Sequence, residues 1–203
     1  GKLKRNEHFA YTRFSDGEIC VMQDKELILA EDHVVRGETK YGFGYTSDDH
    51  KHYDPAKHGF LKDKLIEAYK FKKDNYFVGG ICKGCTCASR DFAPWMHNLY
   101  GQVDENLTSA NLLVNSNYPL FIGHFVPALQ KKNIVFVCSE NSDLTETGFN
   151  IVKDFRVGKN CIVNDHHLVD DIKHWIDENG IKDHIFLFSA SSLSEVLIYE
   201  LFK

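Results

Sequence analysis

Residues 133–138 read Asn-Ile-Val-Phe-Val-Cys, with five apolar side chains in succession. The run is too short for a buried helix, and its β-branched and aromatic content predicts a strand covered on both faces. Such a strand needs parallel neighbours, and the sequence offers them. Tyr76–Cys82 reads as a buried strand ending in glycines, and Lys159–Val163 and His184–Phe188 read as further strands. Helical spacing of apolar residues lies between and around them. It covers Phe60–Phe71, Asp91–Tyr100 (with Pro94 early), Tyr118–Leu129 and Thr145–Asp154. It returns in Leu168–Asn179, closed by Gly180, and in Ser194–Phe202. Alternating strands and helices predict an α/β fold over residues 1–203 as a single domain. The expected architecture is a Rossmann-like, mostly parallel sheet with helices on both faces. Ligands then bind beyond the carboxyl ends of the strands.

Less regular stretches lie between these elements. Met22–Leu29 fits a short helix or a strand, and Thr108–Val114 likewise. Residues 36–59, with His50, His52 and His58, read as a long surface loop near a site mouth.

Composition narrows the function classes. The net charge of −5 disfavours non-specific nucleic-acid binding, which needs a basic face. No apolar run reaches membrane-spanning length and no leader peptide is visible, so a cytoplasmic protein without a membrane span is expected. The opening Gly1-Lys2-Leu3 reads as the start of a fragment. Of the six cysteines, Cys20, Cys82, Cys85, Cys87, Cys138 and Cys161, several sit in apolar runs, as reduced core thiols do.

The chemistry is concentrated near the start, in Arg13-Phe14-Ser15-Asp16-Gly17-Glu18. If this run is extended, Asp16 and Glu18 point to the same side. Two convergent carboxylates suit a hard divalent cation. Arg13 supplies a planar charge for phosphate oxygens, and Gly17 leaves room for a pyrophosphate. The plainer reading is an Asp-Gly turn flanked by solvated acids.

At these residues the chain resembles the GT-D glycosyltransferases, whose hallmark is an Arg-Phe-Gly-Asp-Gly-Glu segment with serine here at the first glycine. Residues 184–201 resemble the late strand, small-residue turn and helix of that family, with Ser189-Ala190-Ser191-Ser192 as the turn. The family pattern continues with another strand and an Asp-x-Gly segment, so at Lys203 the tail reads as truncated or shorter. The resemblance implies a metal-dependent glycosyltransferase that moves a sugar from a nucleotide-diphosphate sugar to an acceptor hydroxyl. Asp16 and Glu18 would hold Mn²⁺ or Mg²⁺. Arg13, Ser15, Gly17, Ser189, Ser191 and Ser192 would bind the donor. The acceptor would be a glycan, a glycoprotein or a modified nucleobase, the last fitting the acidic charge poorly.

Other residues keep two readings each. The Ser189–Ser192 turn opens a helix and suits phosphate, yet Ser192 or Ser194 could simply cap that helix. Glu140, following the 133–138 strand, could be the base that deprotonates an acceptor, or a solvated loop acid. Asp143 is a weaker candidate of the same kind. His166 and His167 beside Asp165 could bind metal or belong to a polar loop, and His124 reads as a satisfied core histidine. Cys82, Cys85 and Cys87 form the rival signal, a zinc-knuckle binding module lacking an obvious fourth ligand. A metal-dependent phosphoester or nucleotide hydrolase is the remaining alternative.

Overall fold

The computed structural model describes residues 1–30, 33–36, 39–40, 51–81 and 92–203. The chain opens with a short helix, α1 (Lys2–Arg5), then β1 (Ala10–Arg13) and α2 (Asp16–Met22). Four antiparallel strands follow: β2 (Leu27–Ala30), β3 (His33–Arg36), β4 (Thr39–Lys40) and β5 (Lys51–Tyr53). Part of the expected long loop is therefore sheet; His50 lies outside the described residues. The long helix α3 (Pro55–Lys70) is capped by the Asp54 carboxylate, which accepts from the Ala56 amide at 3.0 Å, and Pro55 opens it without losing a needed donor.

Next come β6 (Tyr76–Gly80), α4 (Phe92–Tyr100) and β7 (Leu107–Ser109). A helical run then combines α5 (Tyr118–Leu120), a π-helical turn at Phe121–Phe125 and α6 (Val126–Leu129). The last third holds β8 (Asn133–Ser139), β9 (Asn150–Val157), α7 (Cys161–Asn164), α8 (Leu168–Asn179), β10 (Ile185–Ser189) and α9 (Leu193–Phe202).

Two expectations fail in this last part. Residues 150–157 are a strand rather than the end of a helix, paired in parallel with β8 through a register shift at Ile134/Val135. The segment is rich in β-branched and aromatic residues, and its helical spacing loses to ladder pairing with a central strand. Residues 161–164 are a helical turn rather than a strand, entered through Asn160 in the left-handed region (φ 52°). The α8 boundaries match the sequence reading, and Gly180 closes the helix at φ 56°.

The parallel strands form two sheets, ordered β1-β6-β7 and β10-β8-β9. Helices flank them, and one core joins both: Ala10 and Val78 cluster with Val137, Ile172 and Leu197. Helix α9 is the main bridge. It packs on β1, β10, α3 and α8, and it buries Leu193, Val196, Leu197 and Phe202. Each such side chain contributes about 1.5–3 kcal/mol when fully buried.

Candidate active site

The motif near the start is a strand-to-helix turn. Phe14 is fully buried edge-on to Tyr69 (centroids 4.9 Å apart), and its amide donates to the Gly79 carbonyl at 2.8 Å. Those contacts hold the chain beside β6 until Ser15 turns it into α2. Ser15 is the N-cap and Glu18 the third helical residue of a capping box. The Ser15 amide donates to Glu18 Oε2 at 2.9 Å. The expectation of an extended run is thus corrected: the Ser-x-x-Glu spacing starts a helix, and the backbone of Asp16 is its first residue. The side chain of Asp16 lies outside the described part of the structure.

A second strand-to-helix turn has the same order of strand, serine and helix, with its N-cap serine in the helical region. After β10, Ser191 takes the left-handed region (φ 49°), Ser192 is the N-cap, and Glu195 is the third residue of α9. The Ser194 hydroxyl accepts from the Ala190 amide at 2.9 Å and closes the turn. Ser192 is fully buried, and its hydroxyl donates across to Glu18 Oε1 at 3.0 Å. The two turns are therefore bonded to each other through the Glu18 carboxylate. Glu18 and Glu195 are 8% and 6% exposed, buried carboxyl side chains at two adjacent helix starts. The sequence reading missed Glu195, although Ser192-x-x-Glu195 has the same capping-box spacing as Ser15-x-x-Glu18.

A cleft of about 1200 Å³ runs between β1 and β10, with Arg13, Ser15, Gly17 and Glu18 on one wall and Ser189, Ser191, Ser194 and Glu195 on the other. Its deeper part is apolar, lined by Leu129, Phe186 and Ile198 among others. In the parallel ladder Ala10, Thr12 and Phe14 bond towards β6, so the backbone groups of Tyr11 and Arg13 face the other way. Among the described residues no strand pairs with that outer edge of β1, nor with the edge of β10 away from β8.

Arg13 ends β1 with an exposed side chain whose Nε donates to the Ala110 carbonyl at 3.0 Å. That bond fixes the guanidinium at the cleft and leaves its remaining donors for a ligand. Tyr11 beside it donates to the Ser109 carbonyl at 3.0 Å. Burial pushes its hydroxyl up to about 12 against the pull of the Arg13 charge, so it stays a neutral donor. Gly79, opposite Arg13 in the register, is required there: a Cβ would sit 2.8 Å from the Tyr11 hydroxyl and 2.9 Å from the Thr12 carbonyl.

The structure brings Arg13, Ser15, Gly17, Glu18, Ser189, Ser191 and Ser192 to one place. Glu140 is elsewhere. It is exposed at the carboxyl end of β8, its amide bonded to the Val157 carbonyl, and it does not line the cleft. Asp143 accepts from the Thr145 amide and hydroxyl as a local turn cap. His166 and Asp165 turn to separate backbone partners, Val163 and Gly158. His124 is exposed rather than in the core. Cys20, Cys138 and Cys161 are buried, whereas Cys82, Cys85 and Cys87 lie outside the described residues.

No protein-family model matches the chain, and no curated protein does. Solved structures that do match include one described as "the highly conserved domain of unknown function 1792" with "a distinct glycosyltransferase fold". It aligns at a TM-score of 0.61 and 16% identity, over 98% of this chain and 70% of that one. The selenomethionine-substituted structure of the same domain aligns at 0.60, with the same identity and coverage. At this identity the likeness concerns the fold. The chain has the glycosyltransferase fold of the domain of unknown function 1792, an α/β arrangement with parallel sheets flanked by helices.

Proposed function

We propose that this chain is a glycosyltransferase whose donor, a nucleotide-diphosphate sugar, binds at the top of the β1/β10 cleft. The observation that carries the reading is the bonded pair of strand-to-helix turns, which gathers a buried carboxylate, an anchored arginine and a serine-lined helix start at one cleft mouth. In this reading Arg13 holds phosphate oxygens, and Ser189, Ser191 and the backbone of the turn support them. Ser15 and Gly17 keep the opposite wall low enough for a diphosphate to approach the start of α2. Ser192 orients Glu18 from behind.

A divalent cation, Mn²⁺ or Mg²⁺, would be held by Glu18 and Asp16. Among the described residues no three His, Cys, Asp or Glu side chains converge as a complete ligand set. Mg²⁺ is usually held by one or two carboxylates and by substrate phosphates. Such an ion supplies charge neutralisation to the departing diphosphate. The Glu18 carboxylate suits such an ion, because it is buried and its bonds among the described residues come from an amide and a hydroxyl rather than a cation. An acceptor hydroxyl, on a glycan or another hydroxylated molecule, attacks the anomeric carbon. A transfer with inversion needs a base. Glu140 stands at the exposed end of β8 and Glu195 lines the cleft, so Glu140→Gln and Glu195→Gln tell the two apart.

The test is thermal shift with a panel of nucleotide-diphosphate sugars, with and without Mn²⁺, followed by sugar transfer to hydroxyl acceptors. The informative variants are Asp16→Asn and Glu18→Gln, because glutamine preserves the capping geometry while removing the charge. The expected result is a metal-dependent shift in the parent chain that both variants lose while each still unfolds cooperatively without metal. A shift retained by both variants overturns the assignment of the carboxylates. Sugar release with no need of an acceptor replaces the transferase reading with a hydrolase.

A further inference from the structure

Away from the cleft mouth, one surface departs from the rest of the molecule in both polarity and charge. Among the described residues eight large hydrophobic side chains are exposed, and five of them fall within residues 112–122: Leu112, Val114, Tyr118, Leu120 and Ile122. Within the π-helical turn Phe121 stacks on Phe125 (centroids 5.7 Å apart). An apolar groove of about 620 Å³ continues the patch between α1 and this helical run, with Leu3 and Phe9 at its base. An apolar surface of this size and continuity is unusual unless something covers it.

Charge identifies the cover. The chain carries 29 Asp and Glu, yet none between residues 106 and 139. Lys2, Lys4 and His124 line the groove, and Lys131 and Lys132 end the helical run. Glu7 is occupied by Lys2 and Arg5, and Lys132 donates to the neutral Asn6 side chain. Among the described residues Lys4 and Lys131 have no carboxylate partner. An acidic chain has thus collected an apolar face with a cationic rim. That is the pattern of an element lying in a membrane interface, apolar side chains at the acyl boundary and lysines at the headgroups. The charged side chains that line the groove, Lys2 and Lys4, are both cationic, which favours an anionic surface as the occupant. No described helix is long and apolar enough to cross a membrane, so the contact would be peripheral.

We propose that the surface formed by residues 112–125 and α1 docks on an anionic lipid bilayer. Leu120 and Ile122 enter the acyl boundary, and Lys4 and Lys131 engage the headgroups. Each lysine near such a surface adds about fivefold to partitioning.

The test is co-sedimentation of the whole chain with vesicles of phosphatidylcholine alone, and with vesicles containing phosphatidylglycerol, at low and high salt. The expected result is binding to the phosphatidylglycerol vesicles that weakens with salt. It should fall about tenfold or more in Leu120→Asp/Ile122→Asp, and by a similar factor in Lys4→Glu/Lys131→Glu. These side chains are exposed, and circular dichroism checks that each variant folds. Three outcomes overturn the proposal: no binding to anionic vesicles; binding lost with the lysines but untouched by Leu120→Asp/Ile122→Asp; or concentration-dependent self-association that Leu120→Asp abolishes in a chain that ignores vesicles. The last would make the surface a protein interface.

Discussion

The bond between Ser192 and Glu18 joins two turns that are 174 residues apart in sequence, and its removal can be worked through. Ser192→Ala deletes one hydroxyl from a fully buried site and changes little else in shape. Glu18 Oε2 keeps its bond from the Ser15 amide, but Oε1 loses its donor in a place water reaches poorly. Hydrogen bonds to charged groups contribute about 1.5–3 kcal/mol, and the hole left by one oxygen adds little. The expected loss is about 2 kcal/mol, or about 4–8 °C in melting temperature for a chain of this size. Urea unfolding should show a lower midpoint at constant slope. Combined with Glu18→Gln in a double-mutant cycle, the pair should couple by about 1 kcal/mol or more. If the two costs add to within about 0.5 kcal/mol, as independent sites do, the hydroxyl does not hold Glu18 and the description of the paired turns is wrong.

Three further outcomes are expected. Ser191→Gly should raise stability by about 0.5–1 kcal/mol, because it relieves a serine at φ 49° at some cost in unfolded-state entropy; thermal unfolding reads this. Gly79→Ala should cost about 2–3 kcal/mol or prevent folding, since its methyl group has nowhere to go between the Tyr11 hydroxyl and the Thr12 carbonyl; urea unfolding or soluble yield decides. The last concerns Glu200. Burial alone would raise its carboxyl, but hydrogen bonds and charge from Lys203 and Lys64 together hold it at about 2, against an ordinary 4.5. Its contribution is therefore present above pH 4.5 and lost as pH falls from there towards 2. Acid unfolding in that window should be shallower in Glu200→Gln, and an unchanged acid limb would refute the pairing.

Much of this was legible in the sequence, and for local reasons. Helix α8 carries its own periodicity and Gly180 stop, so its limits could be read directly. The apolar run at 133–138 could only be a covered strand, and it is the centre of its sheet. The failures are non-local. Residues 150–157 have spacing that suits either element, and pairing with β8 decides. The turn at 13–18 is recognisable as a site from its residue types. Its helical geometry lies in the Ser15-x-x-Glu18 spacing, which can be read as chemistry or as a cap and here serves as the cap. Glu195 is hard to single out because it sits inside an apolar segment and its exposure is fixed by the facing wall, which no local pattern encodes. The division of the parallel strands into two sheets left no mark in sequence, since an edge strand covered by helices has the same composition as an inner one.

The bare flanks of β1 and β10 have a consequence for handling the molecule. Each is a row of amide and carbonyl groups with no partner strand among the described residues, and such rows template aggregation when another chain's extended segment reaches them. α9 lies against both strands and is the natural guard of that opening. Loosening of this last helix, more than loss of the interior, should set the concentration at which preparations begin to form fibres.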